Sequence, residues 1–432
     1  MKEPQELHYV EVNGTIGHNS ASQYGTYQDY ALDIFGDEQL ATAYSELTSS
    51  IGLDCEYLFI VPCLTKGGGD LLALNYVHAI LDLDEDAKIT VLATEDRPSP
   101  WKSKLPKRVR FVYLTKSFFS KLSSDDQVSI LGVAIRRTLP HTLHVINEPK
   151  LARRLMERFG VKLRSRINLY WSFYIINSYL LSRNSGHEVV NLVGWLSLLS
   201  VCSKKILTDN QTVIEHVMAA STSVRPENFS VHYQPNVKRG LHSKLSPDII
   251  LHDNLKILWA GRLDTQKRID ILQNIAKISE SLDLPIEFHV YGSSIVERND
   301  MPTFAEHRNI VYGGPFDDGL WNLPCKEFDA FLLTSQGEGM PNAVIQAIDE
   351  GLVVIAPDVG GVKELVNSRT GFLVPKFDDI PAYIDALKII ISEPNLAKLR
   401  HKAALEIVRQ RHSWKNFLDT VNSEDGYIMT RG

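Results

Sequence analysis

Short apolar runs alternate with helical patterns along most of this chain. The first series of runs starts at Tyr57 with YLFIVPC and ends with SVHYQPN, and the second begins at Leu255 with LKILWAG. Strands and helices that alternate at this spacing are typical of βαβ units around a mainly parallel sheet. Because a single core stops growing near roughly 250 to 300 residues, a chain of 432 residues is predicted to form two doubly wound α/β domains.

A polar stretch of mixed composition at 237–254 separates the two series and is the predicted linker. We place a helical extension at 1–52, a first Rossmann-like domain at 53–240 and a second at 241–410. The segment 411–432 is predicted to return to the first domain. The two sheets then face each other across a cleft, and open α/β sheets bind ligands beyond the carboxyl ends of their strands.

The most informative segment of the second domain is Phe331–Val366, FLLTSQGEGMPNAVIQAIDEGLVVIAPDVGGVKELV. It predicts a buried strand, a polar glycine turn, a short helix opened by Pro341 and a second strand, since proline is favoured at the first helical position. Gly337 and Gly339 allow a ligand to approach closely, and the N–H groups at a helix start form an anion site. Glu338 lies within that turn, where a carboxylate suits the hydroxyl groups of a sugar. The segment therefore predicts a phosphorylated sugar as ligand.

Two cations follow the first strand of the second domain. In WAGRLDTQKRID, Gly261 ends the strand, and Arg262 and Lys267 flank a polar turn before a helix. A guanidinium fork and an ammonium point charge at a helix start can neutralise a diphosphate. Taken alone, they are more simply interpreted as surface charges. The Glu338 turn follows a strand of the same predicted sheet, which favours a shared ligand site.

Two turns of the first domain are further candidates. Gly67 and Gly68 lie in LTKGGGD, between the first strand and a helix. Glycines there permit close approach to a phosphate, but they also form plain flexible turns. HTLHVINEPK finishes another strand at the same edge and contains His144 and Asn147. His144 lies inside the strand, which favours a structural role for this histidine.

Together these motifs resemble those of the family 4 retaining glycosyltransferases, enzymes of the GT-B fold with two facing Rossmann-like domains. Glu338, Gly339 and Pro341 resemble the start of the family's E-x7-E motif, with Gln346 in place of the second glutamate. The GRLDTQK sequence resembles the family's second donor motif, and the GGG loop resembles its N-terminal glycine loop.

The resemblance implies a nucleotide-sugar donor on the second domain and transfer that retains the anomeric configuration without a metal. The first glutamate would contact sugar hydroxyls, and the second family glutamate contacts the ribose. The family's histidine near the transferred sugar falls in the segment that holds His144 and Asn147, which makes both candidates for the sugar or acceptor side. The implied donor-binding residues are Gly67, Gly68, Arg262, Lys267, Glu338, Gly339, Met340, Pro341, Asn342, Ala343 and Gln346, of which Arg262, Lys267 and Glu338 are the implied catalytic residues.

The expected function is transfer of a hexose-type sugar from a nucleotide diphosphate sugar to a glycan or lipid-linked acceptor. The setting would be bacterial surface polysaccharide biosynthesis of the O-antigen or capsule type. Gln346 and the missing histidine pattern leave a different class open, a catalytically silent GT-B module that serves as scaffold or partner in a polysaccharide-assembly complex. A GT-B epimerase or phosphorylase is the alternative among enzymes. A phosphorylase of the glycogen type would need a pyridoxal phosphate lysine, which no feature of the sequence indicates.

The acidic run LDLDEDAK, with Asp82, Asp84 and Asp86, is the metal candidate of the chain. It lies after a helix and before a strand, hence at the amino edge of the sheet and away from the predicted ligand site. Its simpler interpretation is a solvated acidic turn, and no metal or other cofactor is expected.

Charge is unevenly distributed along the chain. The formal net charge is −6, which argues against a general nucleic-acid binder, yet 95–166 holds 17 basic and 6 acidic residues. These are either solvated helix faces or a surface for an anionic membrane or an anionic lipid-linked acceptor. Within this region 150–166, KLARRLMERFGVKLRSR, fits a helix lying on a bilayer as well as an ordinary surface helix with one buried face.

The four cysteines have neither metal-ligand spacing nor the density of a disulfide framework, and they predict free thiols. The N-terminus lacks the apolar segment of a leader peptide, and the uncharged stretch 167–181 is too short to span a bilayer. The expected location is the cytoplasm, with peripheral contact at the inner face of the cell membrane as an option.

Overall fold

The structure is a computed structural model. It describes residues 36–173, 186–237, 251–293, 304, 306–317 and 319–431. Residues 1–35 of the predicted helical extension, the end of the 167–181 stretch and most of the predicted linker lie outside the described residues.

The first half of the described chain forms a seven-stranded parallel sheet in the order β3-β2-β1-β4-β5-β6-β7. Its strands are β1 Tyr57–Val61, β2 Ile89–Ala93, β3 Arg110–Tyr113, β4 Thr142–Val145, β5 Asn168–Ser172, β6 Lys205–Thr208 and β7 Phe229–Val231. Its helices are α1 Glu38–Ile51, α2 Gly68–Leu83, α3 Ser124–Thr138, α4 Lys150–Arg164, α5 Gly186–Cys202 and α6 Gln211–Ala220.

The second half forms a six-stranded parallel sheet in the order β10-β9-β8-β11-β12-β13. Its strands are β8 Leu255–Ala260, β9 Ile286–Tyr291, β10 Ile310–Gly314, β11 Ala330–Leu332, β12 Val353–Pro357 and β13 Phe372–Val374. Its helices are α7 Ile269–Ser281, α8 Asn342–Asp349, α9 Ile380–Ser392 and α10 Pro394–Arg411. The predicted α/β class with two parallel sheets is confirmed.

Central strands of both sheets are covered by helices on both faces. Every residue of β1 and of β12 is buried, which explains why these strands are continuous apolar runs without alternation. Each fully buried Val, Leu, Ile or Phe in such a run contributes about 1.5 to 3 kcal/mol relative to an exposed one. The cores therefore follow directly from the sequence pattern.

The basic helix α4 packs its apolar face into the first core. Leu155, Phe159 and Leu163 are buried there, while Lys162 and Arg164 remain on the outer side. The interpretation in which this helix lays its apolar face into a bilayer is therefore wrong, because that face is already occupied by protein. No helix among the described residues has the length and apolar character needed to cross a membrane.

The end of the chain packs against the first sheet. Helix α11, Trp414–Ser423, lies on α2 and buries Phe417 and Val421. Beyond it, the backbone carbonyl of Tyr427 accepts a hydrogen bond from the Thr142 hydroxyl at 2.8 Å. The last helix and the residues after it thus complete the core of the first domain.

Each sheet reverses its strand order at one point. In the first sheet the reversal lies between β1 and β4, and in the second between β8 and β11. Loops that leave such neighbouring strands in opposite directions open a crevice between them, where α/β proteins bind ligands. The turns singled out in the sequence are the loops that follow these four strands.

Candidate functional site

The glycine turn after β11 leads directly into α8. Pro341 has an extended ψ of 111°, and the helix begins one residue later, at Asn342. The expectation that Pro341 is the first helical residue is therefore wrong by one position. Its carbonyl accepts the N–H groups of Val344 and Ile345 at 3.0 and 3.3 Å. The N–H groups of Asn342 and Ala343 precede the first complete turn and have no acceptor within the helix.

Lys267 and Glu338 form an ion pair at the carboxyl edge of the second sheet. The ammonium nitrogen lies 2.5 Å from a carboxylate oxygen, and the side chains are only 18% and 9% exposed. The backbone carbonyl of Lys267 also accepts the Thr334 hydroxyl at 2.8 Å. Two residues far apart in the sequence thus meet because β8 and β11 are neighbours.

Gln266 connects the two turns. Its side-chain amide donates a hydrogen bond to the backbone carbonyl of Gly337 at 2.8 Å. The backbone carbonyl of Gln266 accepts a hydrogen bond from the backbone N–H of Gln336 at 3.0 Å. Arg262 donates to the Gln266 side chain at 3.0 Å and pairs with Asp264 at 3.2 Å. The Arg262 guanidinium therefore lies at the same edge as the Lys267 pair, largely exposed and beside the turn.

Gly360 supports the turn from behind. It has a φ of +54°, and a side-chain carbon at this position would lie 1.8 Å from the carbonyl oxygen of Glu338. The next residue, Gly361, donates its N–H to the carbonyl of Gly339 at 2.9 Å. These glycines permit the close packing of this segment against the turn.

Gln346 lies one turn into α8 and is only 7% exposed. Its side-chain oxygen accepts the backbone N–H of Leu320 at 3.0 Å. Together with Asn342, it lines a small cavity between the domains, to which Leu71 and Asn75 of α2 contribute from the other side. Gln346, the residue expected at the ribose, therefore lies at the domain interface, and its side-chain oxygen already accepts a hydrogen bond from Leu320.

The glycine loop of the first domain lies opposite the start of α8. A side-chain carbon at Gly68 would lie 3.3 Å from the amide nitrogen of Asn342. Gly67 is extended and precedes α2. The structure thus brings the two glycine-containing turns together across the cleft.

Asn147 lies beside this loop in a strained conformation. Asn147 and Glu148 have φ values of 63° and 45°, in the left-handed region. The Asn147 amide donates to Asp70 at 3.2 Å, and its oxygen would lie 1.8 Å from a side-chain carbon at Gly69. Burial raises the pKa of Asp70 to about 6. Consecutive left-handed residues are costly and occur mainly at functional sites.

His144 lies in the core and not in the cleft. Its ring nitrogens lie 2.6 Å from the Ser172 hydroxyl and 2.8 Å from the Tyr427 hydroxyl, and the side chain is fully buried. Burial lowers the pKa of His144, which keeps the ring neutral. This placement is that of a structural histidine, the role that its position inside the strand favoured, and it removes His144 from the candidates for the sugar or acceptor side.

Asp209 is a residue that the sequence reasoning missed. It follows β6, and its carboxylate accepts the backbone N–H of Met340 in the second domain at 3.1 Å. Its other oxygen accepts the Asn210 amide at 2.7 Å. Burial raises the pKa of Asp209 to about 7. The sequence did contain a signal for Asp209. The TDN sequence lies at the carboxyl end of a strand, which is the rule that identified the other turns.

Further polar contacts join the domains near Asp209. Glu364 accepts the Thr212 hydroxyl at 2.9 Å and the Tyr233 hydroxyl at 2.8 Å. Lys363 pairs with Glu215 at 3.1 Å. The interface on this side of the cleft is therefore polar, as is usual for domains that move relative to each other.

The acidic run lies at the opposite edge of the first sheet. Asp82 accepts the Trp414 indole N–H at 2.9 Å, and Asp84 pairs with Arg431 at 2.8 Å. The described residues contain no group of His, Cys, Asp and Glu side chains placed to hold a metal ion. All four cysteines are buried thiols without a disulfide.

Several cations of the basic region have acidic partners. Arg110 pairs with Asp54 at 2.7 Å, and Arg154 pairs with Asp125 at 2.6 Å. These pairs are exposed, and such pairs contribute at most about 1 kcal/mol each. The basic excess of 95–166 is thus partly neutralised locally.

Comparison with known proteins identifies a family match in the second domain and relatives that match part of the chain. The family described as glycosyl transferases group 1 matches residues 254–393. The O-antigen biosynthesis glycosyltransferase WbnH of Escherichia coli is 30% identical over 128 residues, which are 30% of this chain and 36% of that protein. The poly(ribitol-phosphate) alpha-N-acetylglucosaminyltransferase of Staphylococcus aureus is 24% identical over 215 residues, or 49% of this chain and 39% of that protein. The matches thus span about two fifths of the length of these relatives.

Solved structures match nearly the whole chain. Anabaena Alr3699/HepE, crystallised in complex with UDP and glucose, superposes with a TM-score of 0.64 at 16% identity, over 85% of this chain and 98% of that chain. The lipopolysaccharide outer core galactosyltransferase WaaB superposes with a TM-score of 0.62 at 16% identity, over 85% and 99% of the two chains. These likenesses confirm the predicted GT-B fold.

Proposed function

We propose that this chain is a retaining glycosyltransferase that transfers a hexose-type sugar from a nucleotide diphosphate sugar to a glycan or lipid-linked acceptor. The observation that carries the proposal is the buried Lys267–Glu338 pair at the strand-order reversal of the second sheet. Surface polysaccharide biosynthesis of the O-antigen or capsule type is the proposed setting, which the WbnH similarity supports.

The donor would lie against the second domain with its diphosphate at the start of α8. There it would meet the N–H groups of Asn342 and Ala343, which have no acceptor within the helix. Arg262 is exposed beside the same turn and can turn its planar fork toward a phosphate. Lys267 would be shared between Glu338 and the diphosphate.

Glu338 would orient the sugar ring by accepting hydrogen bonds from its hydroxyl groups. Lys267 holds the carboxylate in one position before the donor binds, so that little conformational freedom is lost on binding. Gly68 allows the first domain to approach the donor from the other side, since a larger residue would press against Asn342.

In the proposed reaction the bond between the anomeric carbon and the diphosphate oxygen breaks. A bond from the acceptor oxygen forms on the same face of the sugar, and the acceptor proton passes to the departing phosphate oxygen. No protein nucleophile takes part, in contrast to the paired carboxylates of retaining glycosidases. The protein contributes by stabilising charge on the leaving diphosphate, and no metal or other cofactor is included in the proposal.

A turnover assay tests this proposal. A thermal-shift screen of nucleoside diphosphates first selects the base, because a ligand at a hundred times its dissociation constant stabilises by about 2.7 kcal/mol. Sugar transfer is then measured for Lys267→Ala and Arg262→Ala, which are each expected to lower the rate by roughly tenfold to a thousandfold. Arg369→Ala, which removes an exposed cation of the same domain, is the control and should leave the rate unchanged. Near-normal rates in the first two variants would contradict the assignment.

The alternative is a catalytically silent module that binds a nucleotide sugar without turning it over. Gln346 favours this alternative. Its side chain is neutral and its oxygen already accepts a hydrogen bond from the Leu320 N–H, so it has less hydrogen-bonding capacity for the ribose. Measured donor binding without donor hydrolysis or transfer would support this second function.

We further propose a cytoplasmic location with peripheral contact to anionic lipid through 95–166. The contact would be electrostatic only, because the apolar face of α4 is buried. Sedimentation with vesicles that contain phosphatidylglycerol should therefore fall steeply between low and physiological salt. Salt-independent binding would exclude this mode of contact.

A further inference from the structure

We propose that Asp209 of the first domain competes with the donor for the backbone N–H of Met340. In the structure the carboxylate holds this N–H, and it has to release the N–H when the donor binds. The inference rests on the proposed function, which places the donor at this turn, and on the family resemblance, which implies Met340 as a donor-binding residue. It adds a first-domain residue that limits donor affinity.

The geometry fixes Asp209 toward the turn. The residue is only 7% exposed, and one carboxylate oxygen lies 3.1 Å from the Met340 nitrogen. The neighbouring Asn210 accepts the Val213 N–H at 2.9 Å, which anchors it at the start of α6. A side-chain carbon at Gly361 would lie 2.7 Å from the Asn210 Cβ. The segment around Asp209 is thus held from both domains.

Two acceptors cannot both take one N–H in a linear hydrogen bond. The bond from Met340 to a charged carboxylate is roughly twice as strong as a bond to a neutral oxygen. The carboxylate also carries the same sign of charge as a diphosphate, and like charges within a few ångströms disfavour each other. Donor binding is therefore expected to be weaker with a charged Asp209 than with a neutral residue of the same shape.

The charge on Asp209 depends on pH near neutrality. Burial raises its pKa to about 7, and Glu364 adds to the shift by repulsion. At pH 6 the carboxyl is mostly neutral, and at pH 8 it is mostly charged. Other ionisable groups near this interface include Tyr233 and Arg411, which contact Glu364. The Lys363–Glu215 pair and the ion pair between Glu338 of the turn and Lys267 also lie there.

Isothermal titration calorimetry with UDP tests the competition. Asp209→Asn keeps the shape and removes the charge, and it is expected to bind UDP about five- to tenfold tighter than wild type at pH 8. At pH 6 the ratio of the two affinities should approach one. The titration of the UDP phosphate is common to both proteins and cancels in this ratio. Asp209→Ala is a second variant, and the thermal midpoint of each variant verifies folding.

Glu215→Gln is the matched control. It removes the Lys363–Glu215 pair from the same interface without touching the turn, and it should leave UDP affinity unchanged. Equal or weaker UDP binding by both Asp209 variants overturns the inference and leaves the proposed function standing. An equal gain in Glu215→Gln also overturns it, because a loosened interface would then be the cause. If neither the wild type nor any variant binds UDP, both the inference and the assignment of a uridine nucleotide as donor are overturned.

Discussion

Replacing Lys267 with methionine keeps most of the side-chain volume and removes the counter-charge of Glu338. The carboxylate is 9% exposed and would remain in place without its partner at 2.5 Å. Removing one member of a buried ion pair costs about 3 to 5 kcal/mol. Because water reaches part of the 18% exposed Lys267 side chain, we expect the lower end, a loss of about 3 kcal/mol in the free energy of unfolding.

The double variant Lys267→Met/Glu338→Gln separates charge from packing. It replaces a buried pair by two neutral groups of similar shape, a change that is often close to neutral for stability. We therefore expect it to recover about 2 kcal/mol of the loss, which would appear as a coupling energy between residues in contact. Urea denaturation of wild type, both single variants and the double variant measures this coupling.

The same proteins distinguish a structural pair from a functional one. If the pair binds the donor, the double variant regains stability and still transfers sugar at least about tenfold more slowly than wild type. A double variant as unstable as Lys267→Met would refute the argument from buried charge. Recovery of both stability and turnover would refute the catalytic assignment of Lys267 and Glu338.

Three further perturbations have defined outcomes. Gln346→Glu keeps an acceptor for the Leu320 N–H and offers a charged oxygen to the ribose hydroxyl groups rather than to the diphosphate, so it should tighten nucleoside diphosphate binding about fivefold, as judged by calorimetry. Gly69→Ala places a carbon 1.8 Å from the Asn147 oxygen and should lower turnover about tenfold, while the melting temperature changes little because the displaced group is a side chain. Burial lowers the pKa of His412 to about 4, so the unfolded chain binds a proton between pH 6.5 and 4 that the folded protein does not. Stability should therefore fall by about 3 kcal/mol as the pH falls through this range, and His412→Asn should flatten the slope measured by denaturation at pH 6.5 and 4.5.

The second-domain turns could be assigned to one edge of a sheet from the sequence because a local rule sufficed. Strand ends are visible as the points where apolar runs stop, and parallel strands place those ends at one edge. Lys267 and Glu338 follow strands that proved to be neighbours, β8 and β11. The sequence pattern does not contain that adjacency, which comes from the reversal of strand order.

Contacts that depend on distant segments could not be predicted. His144 is enclosed by Tyr427, 283 positions later, and a strand pattern says nothing about which residue covers it. Asp209 meets Met340 only through the way the two domains pack. The side-chain oxygen of Gln346 is bound by Leu320, which lies outside the motif.

The interface leaves little room for a ligand in this conformation. Near the start of α8 the two domains lie close together, and the cavity between Asn75 and Gln346 is small. Gly68 and Asn342 already approach each other. A nucleotide sugar would therefore enter only after the domains separate, and the Asp209–Met340 contact is one of the bonds that has to break.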